Sequence, residues 1–325
     1  MTDSSQNDVQ QAARPSPTPG GRSLDRARVI LECTPPLVRH QDKALAILEQ
    51  ALRAYTRYDA LSVPDIQDDG EFGRRVKRVG NLDFGRWLIE QASKPLSLYK
   101  VATATDGPGL ESWLEQAAGL GVSDIVLVGG DSSSKELADG RLAVGPAAKI
   151  ARRAGFRCGG VIIPTRRREF ASRPASRDEL PRLQDKIHNW GISFFTTQLL
   201  YEGEWMSCLL LDMARQLPPE DFPKIFLTFS PFVCEADLDF AMRALGVYVP
   251  SDVERTLRGA RNMAEASIAQ LTLVWERLST FADEIGIPKD RLGVNVEYLN
   301  TRNPRNVRVA FELAEEFGRM MGVKG

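Results

Sequence analysis

The sequence predicts an α/β chain folded as a single (β/α)8 TIM barrel. Three observations carry this. Eight short apolar runs alternate with amphipathic segments from residue 28 onward, and 325 residues suit one barrel of this kind. No G-x-G-x-x-G follows the first apolar run, which weakens the alternative of an open doubly wound sheet.

The first strand is expected at residues 28–33 (RVILEC). Ala44, Ile47, Leu48, Ala51 and Leu52 then recur at helical spacing across 41–56. A short strand follows at 60–63, a helix at 81–91, a third strand at 95–101 and a helix at 110–120. Residues 124–128 (DIVLV) form a continuous β-branched run, as buried parallel strands do. A helix at 147–154 leads to a fifth strand at 158–163. The helix at 178–190 opens on acidic residues, which suit the positive end of a helix dipole. The sixth strand is expected at 193–197 with a helix at 203–214, and the seventh at 224–229 with a helix at 236–245. A long helix spans 262–285, and the eighth strand, 292–296, precedes a closing helix at 305–320. Residues 1–24 are polar, carry Pro15, Pro17 and Pro19, and read as a disordered tail, leaving 25–325 as the barrel domain.

Composition removes several classes of function. The chain carries 42 basic and 43 acidic side chains, so no electrostatic case exists for nucleic acid or an anionic membrane. No apolar run reaches the ~18 residues of a membrane span. Cys33, Cys158, Cys208 and Cys234 stand far apart without a CxxC pair, and in a chain without a signal peptide they suit a reducing, cytoplasmic setting. His40 and His188 are the only histidines and have no ligand partner at helical spacing, so no metal is assigned and a Ser-His-Asp hydrolase is disfavoured. Trp113, Trp190 and Trp275 fall on amphipathic helices and read as packing. The helix faces also allow a homo-oligomer.

In barrels, chemistry sits just past the C-terminal ends of the strands. There the chain offers Glu32, Asp65, Tyr99 and Lys100, then Gly129, Gly130 and Asp131, then Thr165 with Arg166, Arg167 and Arg168, then Gln198, Ser230, Glu297 and Asn300. Glu32 lies between Leu31 and Cys33 in an apolar strand. Partial burial there raises a carboxyl pKa and suits a proton donor; pairing with an arginine is the other reading. Gly129 and Gly130 let a flat or phosphorylated ligand approach the backbone, and Asp131 follows them directly. The Gln198 amide both donates and accepts, which suits a pterin-like edge or a neighbouring backbone group. The three arginines suit phosphate or carboxylate, or a solvated basic face.

This strand-end pattern resembles the methylenetetrahydrofolate reductase family. LECTPP at 31–36 is similar to that family's first strand, DIVLVGGD at 124–131 to its fourth, and FFTTQLLY at 194–201 to its sixth. ALGVYVPSDVERTL at 244–257 and VEYLNTRN at 296–303 resemble its segments around the seventh and eighth strands. The matches are in order and cover nearly the whole chain after residue 27. The resemblance implies an oxidoreductase of one-carbon metabolism. It would convert 5,10-methylenetetrahydrofolate to 5-methyltetrahydrofolate, with NADH or NADPH as hydride donor and, as a flavoprotein, FAD as carrier. It implies Glu32 as general acid, Asp131 as the anion that stabilises developing positive charge, and Gln198 as hydrogen-bond partner of the pterin and, alternately, of the nicotinamide. Glu297 and Asn300 are assigned to the substrate, and Gly129, Gly130, Asp131, Arg167 and Lys186 to the cofactor.

The chain also departs from the family. Pro64-Asp65 replaces a threonine-tyrosine pair after the second strand, and Leu98 or Tyr99 stands where the third strand usually has histidine. Gly129 replaces an arginine, and Ile163 with an arginine of the 166–168 run replaces an aromatic residue and a histidine. Glu179, Arg182 and Asp185 stand where the flavin-binding face usually has other polar residues, while Lys186 matches a flavin-contacting lysine. Folate-side residues persist and flavin-side residues mostly do not. Three readings follow: a reductase with FAD, a reductase with direct hydride transfer, and a folate- or partner-binding barrel without reductase chemistry.

Overall fold

A computed structural model describes residues 23–66, 77–129, 140–164 and 176–325. Its strands are β1 (Val29–Glu32), β2 (Ala60–Val63), β3 (Leu96–Val101), β4 (Asp124–Val128), β5 (Arg157–Ile162), β6 (Phe194–Leu199), β7 (Lys224–Phe229) and β8 (Leu292–Glu297). They pair in parallel in chain order, and β8 returns to β1 to close a (β/α)8 barrel. Around them run α1 (Gln41–Ala54), α2 (Asn81–Ala92), α3 (Gly107–Gly119), α4 (Val144–Arg153), α5 (Ser176–Asp185), α6 (Glu204–Gln216), α7 (Glu235–Arg243), α8 (Ser251–Gly259), α9 (Met263–Glu284) and α10 (Pro304–Met320). No helix among the described residues is long and apolar enough to cross a membrane.

Strand alternation separates two cores. Val29, Leu31, Leu61, Leu98, Ile125, Leu127, Ile225 and Leu227 face outward and pack under the helices, as do Trp113 and Trp275. Ile30, Ala60, Val126, Phe194 and Phe226 face inward and fill the barrel. Phe194 and Phe226 meet edge-on at 6.4 Å. Each ring needs a missing side chain beside it. A Cβ on Gly159 would run into Phe194, and one on Gly293 would lie 2.8 Å from Phe226 Cδ1.

The N-terminal end of the barrel is plugged. Leu24, in the short helical turn Leu24–Arg26, is buried against Ile30, Phe194 and Phe226. Its amide donates to Asp124 Oδ2 at 3.2 Å, and Asp25 pairs with Arg157. The barrel therefore begins before residue 25: Leu24, expected in the tail, is part of the core, while residues 1–22 lie outside the described residues.

Other differences from expectation have local causes. α3 begins three residues early because Asp106 Oδ1 accepts from the Gly109 amide at 2.8 Å and Pro108 occupies the first turn. The helix expected at 178–190 loosens to a π-helical stretch (Lys186–Trp190) that ends on Gly191, whose φ of 68° favours glycine. α8 was not expected: it is polar, and Leu257 is its only fully buried residue. β6 extends to Leu199 and β8 to Glu297, which makes Gln198 and Glu297 strand residues.

Candidate active site

The closed parallel register sets Glu32 on β1 beside Glu297 on β8, with Ser62 on the other flank. Both carboxyls point inward at the C-terminal mouth. Glu32 is buried and Glu297 half-buried. They are cross-strand neighbours facing the same interior, and two like charges so placed oppose each other, which favours a proton on the pair. Burial first, and then the Glu32 carboxylate, hold Glu297 well above the usual carboxylate range. This favours the protonated form of Glu297.

Hydroxyls and an amide surround the pair. The Tyr99 phenol reaches Glu32 and lies 3.2 Å from Thr196 Oγ1. Burial above all, with the Glu32 charge behind it, pushes this phenol well above its ordinary range, so it remains protonated. Asn295 Nδ2 donates to Glu32 Oε2 at 2.9 Å and lies 3.4 Å from Thr228 Oγ1; its Oδ1 accepts from Ser62 Oγ at 3.5 Å. Thr196 was visible at the end of the sixth strand, while Asn295, Ser62 and Thr228 were not singled out from sequence. The available signal was the period-two recurrence of polar residues in apolar strands: Asn295 with Glu297, Thr196 with Gln198.

Other predicted residues take separate parts. Gln198 sits where the β6–β7 register shifts, and its Nε2 donates to the Leu245 carbonyl at 2.6 Å. That contact uses one donor of an amide that has two donors and an acceptor. Asn300 folds back on its own turn, accepting from the Arg302 amide at 3.0 Å. Asp65 accepts from the Val101 amide at 2.9 Å and pairs with Lys100 at 3.4 Å, so it ties β2 to β3. Lys186 donates to the Val161 carbonyl at 2.7 Å and stands 4.0 Å from Glu179, whose Oε1 accepts from the Ile163 amide at 3.4 Å. These contacts bind the end of β5 to α5. Gly129 is exposed at the end of β4, while Gly130, Asp131 and Arg167 lie outside the described residues. Burial pushes the Cys33 thiol far up and the Cys158 thiol up to about 12, which makes both inert packing groups. Among the described residues, no three His, Cys, Asp or Glu side chains gather as metal ligands would.

No protein-family model and no curated protein matches the chain. Among solved structures it is similar to an uncharacterized protein from Clostridium thermocellum that binds two copies of 5-methyl-5,6,7,8-tetrahydrofolic acid. The identity is 22%, the TM-score 0.71, and the match covers 92% of this chain and 98% of that one. It also matches a tryptophan synthase alpha-subunit mutant from Pyrococcus furiosus at 14% identity and TM-score 0.48, covering 91% of this chain and 98% of that one. At these identities the likeness is one of fold.

Proposed function

We propose that the chain is a methylenetetrahydrofolate reductase-like oxidoreductase. In this reading hydride passes directly from NADH or NADPH to 5,10-methylenetetrahydrofolate, giving 5-methyltetrahydrofolate. The observation that carries it is the Glu32–Glu297 pair, two carboxyls on neighbouring strands at the end of a barrel where chemistry resides, with Glu297 raised by burial and by Glu32. The reaction needs one proton and one hydride. The proton goes to N10 of the folate and the methylene–N10 bond breaks, leaving a methylene iminium cation at N5. The hydride then adds to that methylene carbon, and the nicotinamide leaves oxidised. Glu297 supplies the proton. The pair, left with a second negative charge, faces the cation and stabilises it. Asp131 adds a further anion, Gln198 binds the pterin edge, and Arg167 binds a carboxylate or phosphate of substrate or nicotinamide.

Of the cofactor contacts that the resemblance implies, Lys186 and Gly129 lie among the described residues. Lys186, the residue matching a flavin contact, is held by the Val161 carbonyl and Glu179, and its neighbourhood ties α5 to β5. The reading therefore takes no step through FAD. The folate bound by the Clostridium thermocellum protein supports a folate ligand here. It also favours a second reading, a barrel that binds folate without reducing it.

The test is a visible spectrum of the purified protein followed by an assay of nicotinamide oxidation with methylenetetrahydrofolate. Turnover by a colourless protein is the expected result. A stoichiometric flavin band would overturn direct transfer. A colourless protein that binds 5-methyltetrahydrofolate but never turns over would establish the second reading.

A further inference from the structure

Two neighbouring carboxyls can place a proton on either partner, and the choice decides what a ligand meets at the mouth. Asn295 stands two residues before Glu297 on β8 and faces the same interior. Its Nδ2 lies 2.9 Å from Glu32 Oε2, and an amide nitrogen can only donate. Its second N–H points to Thr228 Oγ1 at 3.4 Å, and Ser62 Oγ donates to its oxygen at 3.5 Å; hydroxyls accept either sense of the amide, so the contact with Glu32 sets it. A donor on a carboxyl oxygen favours the charged form of that carboxyl. Glu297 receives no such amide among the described residues; its partner is Glu32.

We propose that Asn295 is a positioning residue: by donating to Glu32 it directs the proton of the pair to Glu297, the more exposed of the two carboxyls. This rests on the reading of the pair as proton donor, and it explains how a buried proton is kept within reach of a ligand. The ionisable groups facing the pair are few. β1 brings Cys33 beside Glu32, β3 brings Tyr99, and Tyr298 follows β8. Burial pushes all three upward, so they stay protonated, and β2 and β7 add only the hydroxyls of Ser62 and Thr228. No cation among these groups competes with the amide for control of the pair.

The test uses the full chain, substrate-free and labelled with 13C at the glutamate carboxyls, in wild type and in Asn295→Leu. Resonances of the two residues are assigned with Glu32→Gln and Glu297→Gln. At neutral pH the protonated signal is expected on Glu297 in wild type. In Asn295→Leu the ratio of proton occupancy should move toward Glu32 by about tenfold or more, the scale of one hydrogen bond to a charged group. Asn295→Ser is the second variant if leucine prevents folding. An unchanged ratio in a folded variant, or a wild-type proton found on Glu32, would overturn the proposal. Reductase assays across pH are run in parallel. Failure of wild-type turnover would remove the reductase reading and leave the carboxyl titration to decide the role of Asn295. With turnover, kcat/KM in Asn295→Leu should fall about tenfold while KM for the nicotinamide holds.

Discussion

At the N-terminal end of the barrel, Asp124, Arg157 and Lys224 enter the interior; at the C-terminal end, Glu32 and Glu297 do. The lower charges are of both signs. Arg157 lies 2.5 Å from Asp124, pairs also with Asp25, and stacks over Phe194 at 5.0 Å. Lys224 donates to the Asp290 carbonyl and sits 5.4 Å from the Phe226 ring centroid. Burial drives each toward neutrality: Asp124 up to about 6, Arg157 down to about 10 and Lys224 down to about 8. Desolvation outweighs attraction even in the close Asp124–Arg157 pair, so geometry rather than free charge holds this end. The upper carboxyls share one sign and meet no cation among the described residues. Two like charges at a half-open mouth do nothing for the fold that an apolar pair would not do better. Their arrangement makes sense as a held proton, which is why the lower end reads as structure and the upper end as chemistry.

Paired substitutions can break that division. Glu297→Gln removes the proton while keeping the shape, and should lower reductase kcat/KM by about 10²–10⁴-fold. Its urea midpoint should match or exceed wild type, because folding at neutral pH no longer requires Glu297 to take up a proton. Turnover within a few-fold of wild type would end the assignment of Glu297 as donor. Asp124→Ala is the mirror case. It leaves Arg157 buried without its closest partner and the Leu24 amide without an acceptor, and should cost about 3 kcal/mol in urea unfolding. Its effect on kcat/KM should stay within about threefold, since catalytic effects of that size are below 1 kcal/mol. A loss of activity comparable to Glu297→Gln would show that the two ends are not separate.

The same division appears along the pH axis. Glu297 is raised, so the donor is present at low pH, and activity should fall as pH rises through its elevated pKa, tenfold per unit beyond it. Asp124 is also raised, from 3.8 to about 6, so the folded state binds the proton more tightly than the unfolded state. Its contribution to stability is full below about pH 4 and lost by about pH 6. Stability from this residue should thus decline across a window in which activity is still on its plateau. Urea midpoints and kcat/KM measured on one pH series check this; a shared midpoint for both curves would contradict it.

What the sequence made legible follows the physics of each end. Both faces of these strands are buried, so β2, β4 and β7 were readable as short, nearly continuous apolar runs, and Glu32 was conspicuous as a carboxylate inside such a run. The partner of Glu32 was harder. Glu297 is 265 positions away in sequence, and only the closure of β8 on β1 makes them neighbours. Asn295 and Tyr99 were obscured for the same reason: their contacts cross strands, and a lone polar residue within a strand gives no hint of whom it meets. The plug at Leu24 was missed because one apolar residue in a polar leader carries no periodicity. Lys186, which the resemblance assigns to a cofactor, also fastens α5 to β5, a contact that a motif match does not reveal.

The smallest expected effect concerns Gly129, which the sequence offers as part of a cradle for a ligand. Its backbone is not in the left-handed region, it is exposed, and among the described residues a Cβ there would find Val144 Cγ2, at 3.8 Å. No described residue requires glycine at this position, so Gly129→Ala should change stability by less than about 0.5 kcal/mol. Any effect on ligand affinity can then be read without a folding correction. A Kd for 5-methyltetrahydrofolate or NADH that weakens about tenfold in Gly129→Ala would mean that a ligand approaches the backbone at the end of β4 too closely to admit a methyl group. An unchanged Kd for both would remove Gly129 from the site and leave ligand contact at the mouth to the β1 and β8 side, where the carboxyl pair stands.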